Sequence, residues 1–294
     1  QNFKQALKIK FPSFTPDSYR DHHSAFTFLP TYDIDEAYSF KHKQWWRSAG
    51  AAVKDLLKGK FNRFAERRKV LDGKKPDPFD AYAWMNDLHR PYHLKPRYFF
   101  LVPEKTGKYD RNILPGEKAL QTLIRQHAEK YTIGVHPSWQ SGDDPGLIRK
   151  EKETIEAIAK IKITSSRQHF IRFNLPQTLR HLLDAGIRED FSMGYGSING
   201  FRASVASPFY WYDLEREQTT SLLLHPFCFM EANSFFEQRL SPLQALDEMY
   251  HYYHEVKKVN GSLISIWHNT FLGTDPTFAG WREVYAQFVK EVMS

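Results

Sequence analysis

The stretch AFTFLPTYDIDE, residues 25–36, joins a short apolar strand to a pair of acidic residues at its end. Asp33 and Asp35 are one residue apart, and because side chains alternate between two faces along a strand, both carboxylates point to the same side. Two carboxylates in one small volume can divide the work of hydrolysis, since one can bind a metal ion while the other accepts a proton from water. An acidic strand end or a helix N-cap would show the same pattern, so the rest of the chain has to distinguish these interpretations.

Strand-like and helix-like segments alternate along the rest of the chain. The pattern predicts strands at 25–31, 97–102, 131–136, 167–173, 201–205, 221–229 and 262–268, and helices at 43–71, 79–88, 116–130, 145–160, 177–184, 242–258 and 281–293. Alternation at this spacing indicates a parallel sheet, and this number of units favours a barrel over an open sheet. The sequence therefore predicts an α/β fold, a (β/α) barrel of seven or eight parallel strands. We expect residues 1–24 to be an N-terminal extension and residues 25–294 to form one domain.

The net charge of +7 is concentrated in one stretch of the chain. Between Lys54 and Lys75, nine Lys and Arg residues stand against three acidic residues. Apolar residues recur there at helical spacing, which predicts one basic amphipathic helix over 43–71. A surface helix with its lysines in water is the simpler interpretation, and peripheral contact with an anionic membrane or polymer is the alternative. No recognised nucleic-acid-binding motif accompanies the basic residues, so we do not expect nucleic acid as a partner.

Cysteine content and hydropathy narrow the class of protein further. The single cysteine, Cys228, excludes an intramolecular disulfide and a cysteine-rich zinc module. No apolar run reaches the ~18 residues that a membrane span requires, and residues 1–10 lack the apolar segment of a signal peptide. The compartment stays open between the cytoplasm and the cell envelope, and no oligomeric state is predicted.

Ionisable residues follow several of the predicted strands. Catalytic groups of a parallel barrel gather at the carboxyl ends of its strands, and besides the aspartate pair the residues at such positions are His136, Arg167, His169, Asp190, His225 and His268. One histidine at a strand end is more often structural than ligating, but several of them beside a carboxylate pair favour a metal site. Aspartate and histidine ligands suit zinc or a similar divalent ion with an open position for water.

The order of these motifs resembles that of the polysaccharide deacetylases, carbohydrate esterase family 4, and within it an uncharacterised bacterial branch. The matching segments are T-Y-D-I-D at 31–35, V-H-P-S-W at 135–139, R-Q-H-F at 167–170, R-E-D-F-S-M-G-Y at 188–195 and I-W-H-N at 266–269. The resemblance implies a NodB-like fold, which is a distorted (β/α) barrel. It also implies metal-dependent hydrolysis that removes acetyl groups, from an amide or an ester, with an acetylated carbohydrate or polysaccharide as the partner.

The resemblance also implies roles for four catalytic residues. Asp33 is expected to be the base, and Arg167 to hold it through a bidentate contact. His268 is expected to be the general acid that protonates the leaving group. Asp190 matches the family's fourth motif and is included among the catalytic residues.

The expected metal ligands are less complete than in the family. Asp35 and His136 match the first two ligands, but the residue that should supply a second histidine, four positions beyond His136, is Gln140. The third ligand could be His169 or solvent, or it could be missing. If it is missing, the chain would be a catalytically impaired relative that binds polysaccharide.

Aromatic and cationic residues near the motifs are candidates for contact with a sugar. Trp139, Tyr195 and Trp267 could stack on sugar rings, although much of the aromatic content of such a chain is core. Arg202 could contact an anionic or hydroxyl-rich substrate, or it could pair with a nearby carboxylate.

Overall fold

A nine-stranded sheet forms the centre of the computed structural model, which describes residues 9–12 and 25–294. Its strands are β1 (Thr27–Ile34), β2 (Arg97–Phe100), β3 (Thr132–Val135), β4 (Ser165–Ser166), β5 (Glu189–Asp190), β6 (Phe209–Asp213), β7 (Gln218–Leu224), β8 (Phe229–Met230) and β9 (Ser262–His268). Their order across the sheet is β6-β7-β5-β4-β3-β2-β1-β9-β8, and every neighbouring pair is parallel except β6 and β7. The sheet curls into a half-barrel, so the predicted α/β class and distorted barrel are confirmed. The predicted extension, 1–24, lies outside the described residues apart from 9–12.

β1 lies between β2 and β9, and its register aligns the ends of all three strands. Thr27 pairs with Ser262 at one end and Asp33 pairs with His268 at the other, while Asp33 is also level with Phe99 of β2. The predicted bounds of β9 are confirmed. This register brings the base and acid predicted from the sequence to one edge of the sheet.

Eight helices accompany the sheet within the described part of the chain. They are α1 (Trp45–Leu57), α2 (Phe61–Leu71), α3 (Tyr82–His89), α4 (Lys118–Ala128), α5 (Gly146–Ala159), α6 (Gln177–Asp184), α7 (Pro242–Lys258) and α8 (Trp281–Val292). In α5, for example, Ile148 and Ile155 are buried at helical spacing, and each such side chain contributes about 1.5–3 kcal/mol on burial. α7 begins at a capping box between Ser241 and Gln244. Among residues 9–12 and 25–294, no helix combines the length and apolar character needed to cross a membrane.

The predicted single helix over 43–71 is wrong, because the structure has two helices there. α1 ends before Gly59, whose φ of +65° is the left-handed conformation typical of a glycine just beyond a helix end. A buried ion pair, Arg67 Nη2 to Asp55 Oδ2 at 2.8 Å, then joins α2 to α1. The basic residues are therefore carried by a helical hairpin that folds back on itself.

Two strand predictions are also wrong. The strand predicted at 167–173 is absent there, and only the preceding pair, Ser165–Ser166, is a strand. At 201–205 the backbone forms turns and bends. β6, in turn, was not predicted. Its hairpin to β7 turns through 214–217, where Glu217 takes a φ of 49° without the glycine or asparagine that usually indicates such a turn.

Candidate metal and acid–base site

Three side chains that could bind a metal converge at the carboxyl ends of β1 and β3. Asp35 follows β1 directly, His136 follows β3, and His169 lies in the loop after β4. Asp35 Oδ1 is 3.1 Å from His136 Nε2, and Asp35 Oδ2 is 3.3 Å from His169 Nε2. One ligand atom from each residue lies within 4.8 Å of the others, which is the size of a coordination sphere. The structure thus brings together Asp35, His136 and His169, the last of which was one of the alternatives for the third ligand.

Hydrogen bonds on the far side of both imidazoles determine which nitrogen faces Asp35. His136 Nδ1 lies 2.5 Å from the backbone oxygen of Arg167, and since a carbonyl only accepts, Nδ1 must be the donor. His169 Nδ1 donates in the same way to Asp110 Oδ1 at 3.0 Å. In the neutral rings each Nε2 therefore keeps its lone pair, directed at the cluster. Asp35 Oδ1 is buried without a hydrogen-bond partner, and an O,N,N donor set of this kind fits zinc.

Gln140 and Asp110 support this cluster from behind. Gln140 donates from Nε2 to Asp110 Oδ2 at 3.0 Å, and the backbone N–H of Trp139 donates to Asp110 Oδ1 at 2.8 Å. Gln140 therefore lies behind the candidate ligands, where it is hydrogen-bonded to the carboxylate that contacts His169. Asp110 was not identified from the sequence, and its only signal there is an acidic residue in the long loop after β2.

Asp33 forms a fully buried pair with Arg167. Arg167 Nη1 donates to Asp33 Oδ1 at 2.8 Å, and Arg167 Nε donates to the backbone oxygen of Phe191 at 3.1 Å. The expected bidentate contact is therefore wrong, because only Nη1 reaches Asp33, while Nε is bonded to the backbone and Nη2 is buried without a hydrogen-bond partner among the described residues. Asp33 Oδ2 remains free of Arg167 and lies 3.7 Å from His136 Nε2, facing the cluster.

His268 completes the ring of side chains around Asp35. Its Nε2 lies 3.4 Å from Asp35 Oδ2, and its Nδ1 donates to Glu231 Oε1 at 2.6 Å. The same Glu231 oxygen accepts the backbone N–H of His268 at 2.6 Å, and Glu231 is completely buried. Glu231 could not be identified from the sequence as the partner of His268, because nothing near it in sequence indicates a contact with β9.

The charges within the cluster shift its titration. Burial raises the pKa of Asp35, but His169 and His268 lower it well below its usual value. Burial lowers the pKa of His169, whereas the carboxylates of Asp35 and Asp110 raise it to about 9. Since histidine binds metal only when neutral, a metal ion must compete with a proton at His169.

A cavity of about 870 Å³ opens over the cluster. Asp33, Asp35, His136, His169 and His268 all reach its lining. The other walls come from the α1–α2 hairpin and from segments 230–237 and 268–278. The candidate acid–base and metal-binding side chains therefore line one shared cavity.

The two residues that follow His169 have an uncommon backbone conformation. Phe170 and Ile171 take φ values of 56° and 51°, a left-handed conformation that a β-branched residue such as Ile171 rarely adopts. Both residues line the cavity. Such strained positions are typical of functional loops, where the surrounding contacts hold them in place.

The structure places the four predicted sugar-contact residues differently from one another. Trp139 is partly buried and stacks on Tyr109, with ring centroids 4.2 Å apart. Tyr195 is exposed and lies next to a cavity-lining glycine, Gly196. Arg202 donates to the backbone oxygen of Gly194 at 3.2 Å and pairs with no carboxylate of the described residues. Trp267 is wholly buried against Tyr285, 4.3 Å between centroids, so its ring has no access to a ligand.

Asp190 lies outside the residues that line the cavity. Its carboxylate accepts hydrogen bonds from Ser166 Oγ at 2.7 Å, from Ser192 Oγ at 3.0 Å and from the Ser192 backbone N–H at 2.9 Å. Ser192 Oγ in turn accepts the backbone N–H of Gln168. Asp190 thus ties together the strand ends on either side of the loop that carries Arg167 and His169.

Comparisons with known proteins identify the fold. No protein-family model matches the chain, and no curated protein matches it by sequence. Among solved structures, a protein of Mycobacterium smegmatis described as a polysaccharide deacetylase is similar with a TM-score of 0.57 and 15% identity, covering 96% of this chain and 86% of the other. A Pseudomonas aeruginosa PAO1 protein described in the same way is similar with a TM-score of 0.56 and 8% identity, covering 96% of this chain and 90% of the other. The Puue allantoinase is similar with a TM-score of 0.58 and 9% identity, covering 96% of this chain and 89% of the other. The chain therefore has the fold of the polysaccharide deacetylases.

Proposed function

We propose that this chain, on its deacetylase fold, is a divalent-metal-dependent hydrolase that removes acetyl groups from a carbohydrate. The observation that carries the proposal is the meeting of three units at one edge of the sheet. These units are the ligand set Asp35, His136 and His169, the Asp33–Arg167 pair, and the His268–Glu231 pair.

Asp35, His136 and His169 would hold the metal, with zinc as the proposed ion because the donor set is one carboxylate oxygen and two imidazole nitrogens. When bound there, such an ion would supply Lewis acidity for the activation of water and the polarisation of an acetyl carbonyl at neutral pH. We take His169 as the third ligand because its Nε2 faces Asp35 and its other nitrogen is bonded to Asp110. With His169 in that position, Gln140 gives no reason to expect an impaired protein.

Asp33 is the proposed proton acceptor. Arg167 occupies Oδ1, so Oδ2 is the oxygen that faces the ligand set and can accept a proton from the attacking water. Arg167 also fixes the carboxylate in place, because its guanidinium is anchored to the backbone of Phe191. Asp190 is proposed to position this loop and not to touch the substrate.

His268 is the proposed general acid for the leaving amine or alkoxide. Burial lowers the pKa of His268, but Glu231 and Asp35 raise it well above its usual value, which favours the protonated form. Glu231 also fixes the ring through Nδ1, so that Nε2 is the nitrogen that can reach a substrate.

The test is acetate release from N-acetylated chito-oligosaccharides and from O-acetylated glycans, with zinc supplied and after chelation. We expect release that depends on zinc, and a loss of roughly 10²–10⁴-fold in turnover for Asp33→Asn at unchanged zinc content. Asp87→Asn is the matched control, since Asp87 is an exposed aspartate on α3, paired with Arg90. If zinc-loaded wild type releases no acetate from any of these glycans, the proposal fails.

A further inference from the structure

The α1–α2 hairpin gives the cavity a cationic wall. Six cations that line the cavity lack a carboxylate partner in the described part of the chain. Five lie on the hairpin, namely Arg47, Lys54, Lys58, Lys60 and Arg63, and Arg111 lies in the loop after β2. The proposed chemistry at Asp33 and His268 uses none of them.

The acidic residues in the same wall are already neutralised. Glu36 pairs with Lys43 at 3.1 Å, and Asp55 pairs with Arg67 at 2.8 Å. The other lining carboxylates outside the ligand set and its base are Glu237 and Asp275, which belong to different segments, 233–237 and 268–278. The wall contributed by the hairpin therefore carries positive charge that the hairpin itself does not balance.

The orientation of α1 shows that this charge is directed at the cavity. Arg47, Lys54 and Lys58 are spaced by seven and four residues, so they share one helix face, and all three line the cavity. The opposite face holds Trp45 and Leu56, which are 81% and 40% exposed. A surface helix ordinarily does the reverse, with its apolar side inward and its charges in water.

From this wall we infer that the substrate is an anionic glycan, with a carboxylate or phosphate on a sugar unit next to the acetylated one. The inference rests on the proposed function, since it names the substrate class of that same cavity. Like charges gathered in a concave site raise the local concentration of an anionic ligand and are neutralised by it. Arg47 offers a planar fork that matches a carboxylate or phosphate, and the lysines add point charges along the chain of sugars.

The test measures binding to the zinc-loaded Asp33→Asn protein, so that turnover does not interfere. The probes are an oligosaccharide that alternates N-acetylglucosamine with glucuronate and the same oligosaccharide after reduction of its carboxylates. Lys54→Gln combined with Lys58→Gln should lower the affinity for the charged probe by about threefold to thirtyfold, as expected for two partly exposed ion contacts. Binding of the reduced probe should not change, and the difference between probes should shrink with added salt.

A double variant of the same hairpin region provides the control. Lys69→Gln with Lys74→Gln removes the same charge from exposed lysines that do not line the cavity, and it should bind both probes like its parent. Equal affinity for the two probes, or equal effects of the two double variants, would overturn the inference.

Vesicles of an anionic phospholipid distinguish a membrane from a glycan. If Lys54 and Lys58 are needed for vesicle binding but not for binding of the charged oligosaccharide, the wall serves a membrane surface and the glycan inference is wrong. If the wild type releases no acetate but binds glycans in a charge-dependent way, the proposed activity is wrong and the inference of an anionic ligand stands. If acetate is released only from neutral glycans, the proposed activity stands and the inference of an anionic substrate is wrong.

Discussion

Replacing Asp110 by asparagine should weaken zinc binding although Asp110 is not a ligand. Its Oδ1 accepts a hydrogen bond from His169 Nδ1 at 3.0 Å, and this bond fixes the ring so that Nε2 faces Asp35. Asparagine keeps the shape and can keep one acceptor, but it removes the negative charge. The imidazole of His169 then becomes a weaker donor to the metal and is held less firmly.

The size of the effect follows from burial. Loss of a carboxylate behind a metal-binding histidine costs about 10- to 100-fold in affinity. Asp110 and His169 are only 2% and 3% exposed, so water cannot replace the lost interaction and we expect the upper part of that range. This corresponds to about 2–2.7 kcal/mol, since each factor of ten is about 1.4 kcal/mol.

A competing proton makes the effect depend on pH. In the wild type the pKa of His169 is raised to about 9, partly by Asp110 itself, so at pH 7 zinc must displace a proton. Asp110→Asn removes part of that competition while it weakens the ligand. We therefore expect the full loss of affinity at pH 9 and a smaller loss at pH 7.

The assay is competition for zinc with a chromophoric chelator at both pH values. Gln140→Ala is the matched comparison, because it removes one neutral hydrogen bond to Asp110 Oδ2 and leaves the charge in place. It should cost less than Asp110→Asn. If Asp110→Asn binds zinc as tightly as wild type at pH 9, Asp110 does not support a metal ligand. The assignment of His169 as a ligand then loses the support of its hydrogen bond to Asp110.

Two further predictions concern buried carboxylates. Glu231→Gln should lower the pKa of His268 and move the alkaline fall of turnover to lower pH, and an unmoved pH–rate profile would contradict the role of Glu231. Burial raises the pKa of Glu151 from 4.5 to about 7, so the folded state keeps a proton that the unfolded state loses as pH rises between these values. Glu151→Gln should therefore gain stability relative to wild type between pH 5 and pH 8, by about 1–3 kcal/mol in urea unfolding, whereas a constant difference would show that Glu151 is ionised in the fold.

The sequence predicted the elements that carry their own start and stop signals. β9 matches its predicted bounds, because an apolar run follows Gly261, and α7 begins at Pro242 after the serine cap. The break in the basic helix depends on a single residue, Gly59, within a periodic apolar pattern. The hairpin of β6 and β7 turns without the usual turn residues, so local sequence gave no indication of it.

The candidate site follows the same division. Asp33, Asp35, His136 and His268 could be placed from the sequence, because each lies at a strand end and the strand order aligns those ends. The supporting contacts could not be placed in this way. Asp110 and His169 are 59 residues apart, and Glu231 and His268 are 37 apart. Their pairing depends on loop conformations that no local pattern encodes.

The measurement that tests the metal site most directly is anomalous diffraction at the zinc absorption edge from crystals soaked in zinc, with His136→Ala crystals as the comparison. The wild type should show one strong peak about 2.0–2.2 Å from a carboxylate oxygen of Asp35 and from Nε2 of His136 and of His169. The peak should be weak or missing in His136→Ala. A zinc peak elsewhere, or no peak between these three side chains in a zinc-soaked wild-type crystal, would contradict the proposed metal site and the reaction built on it.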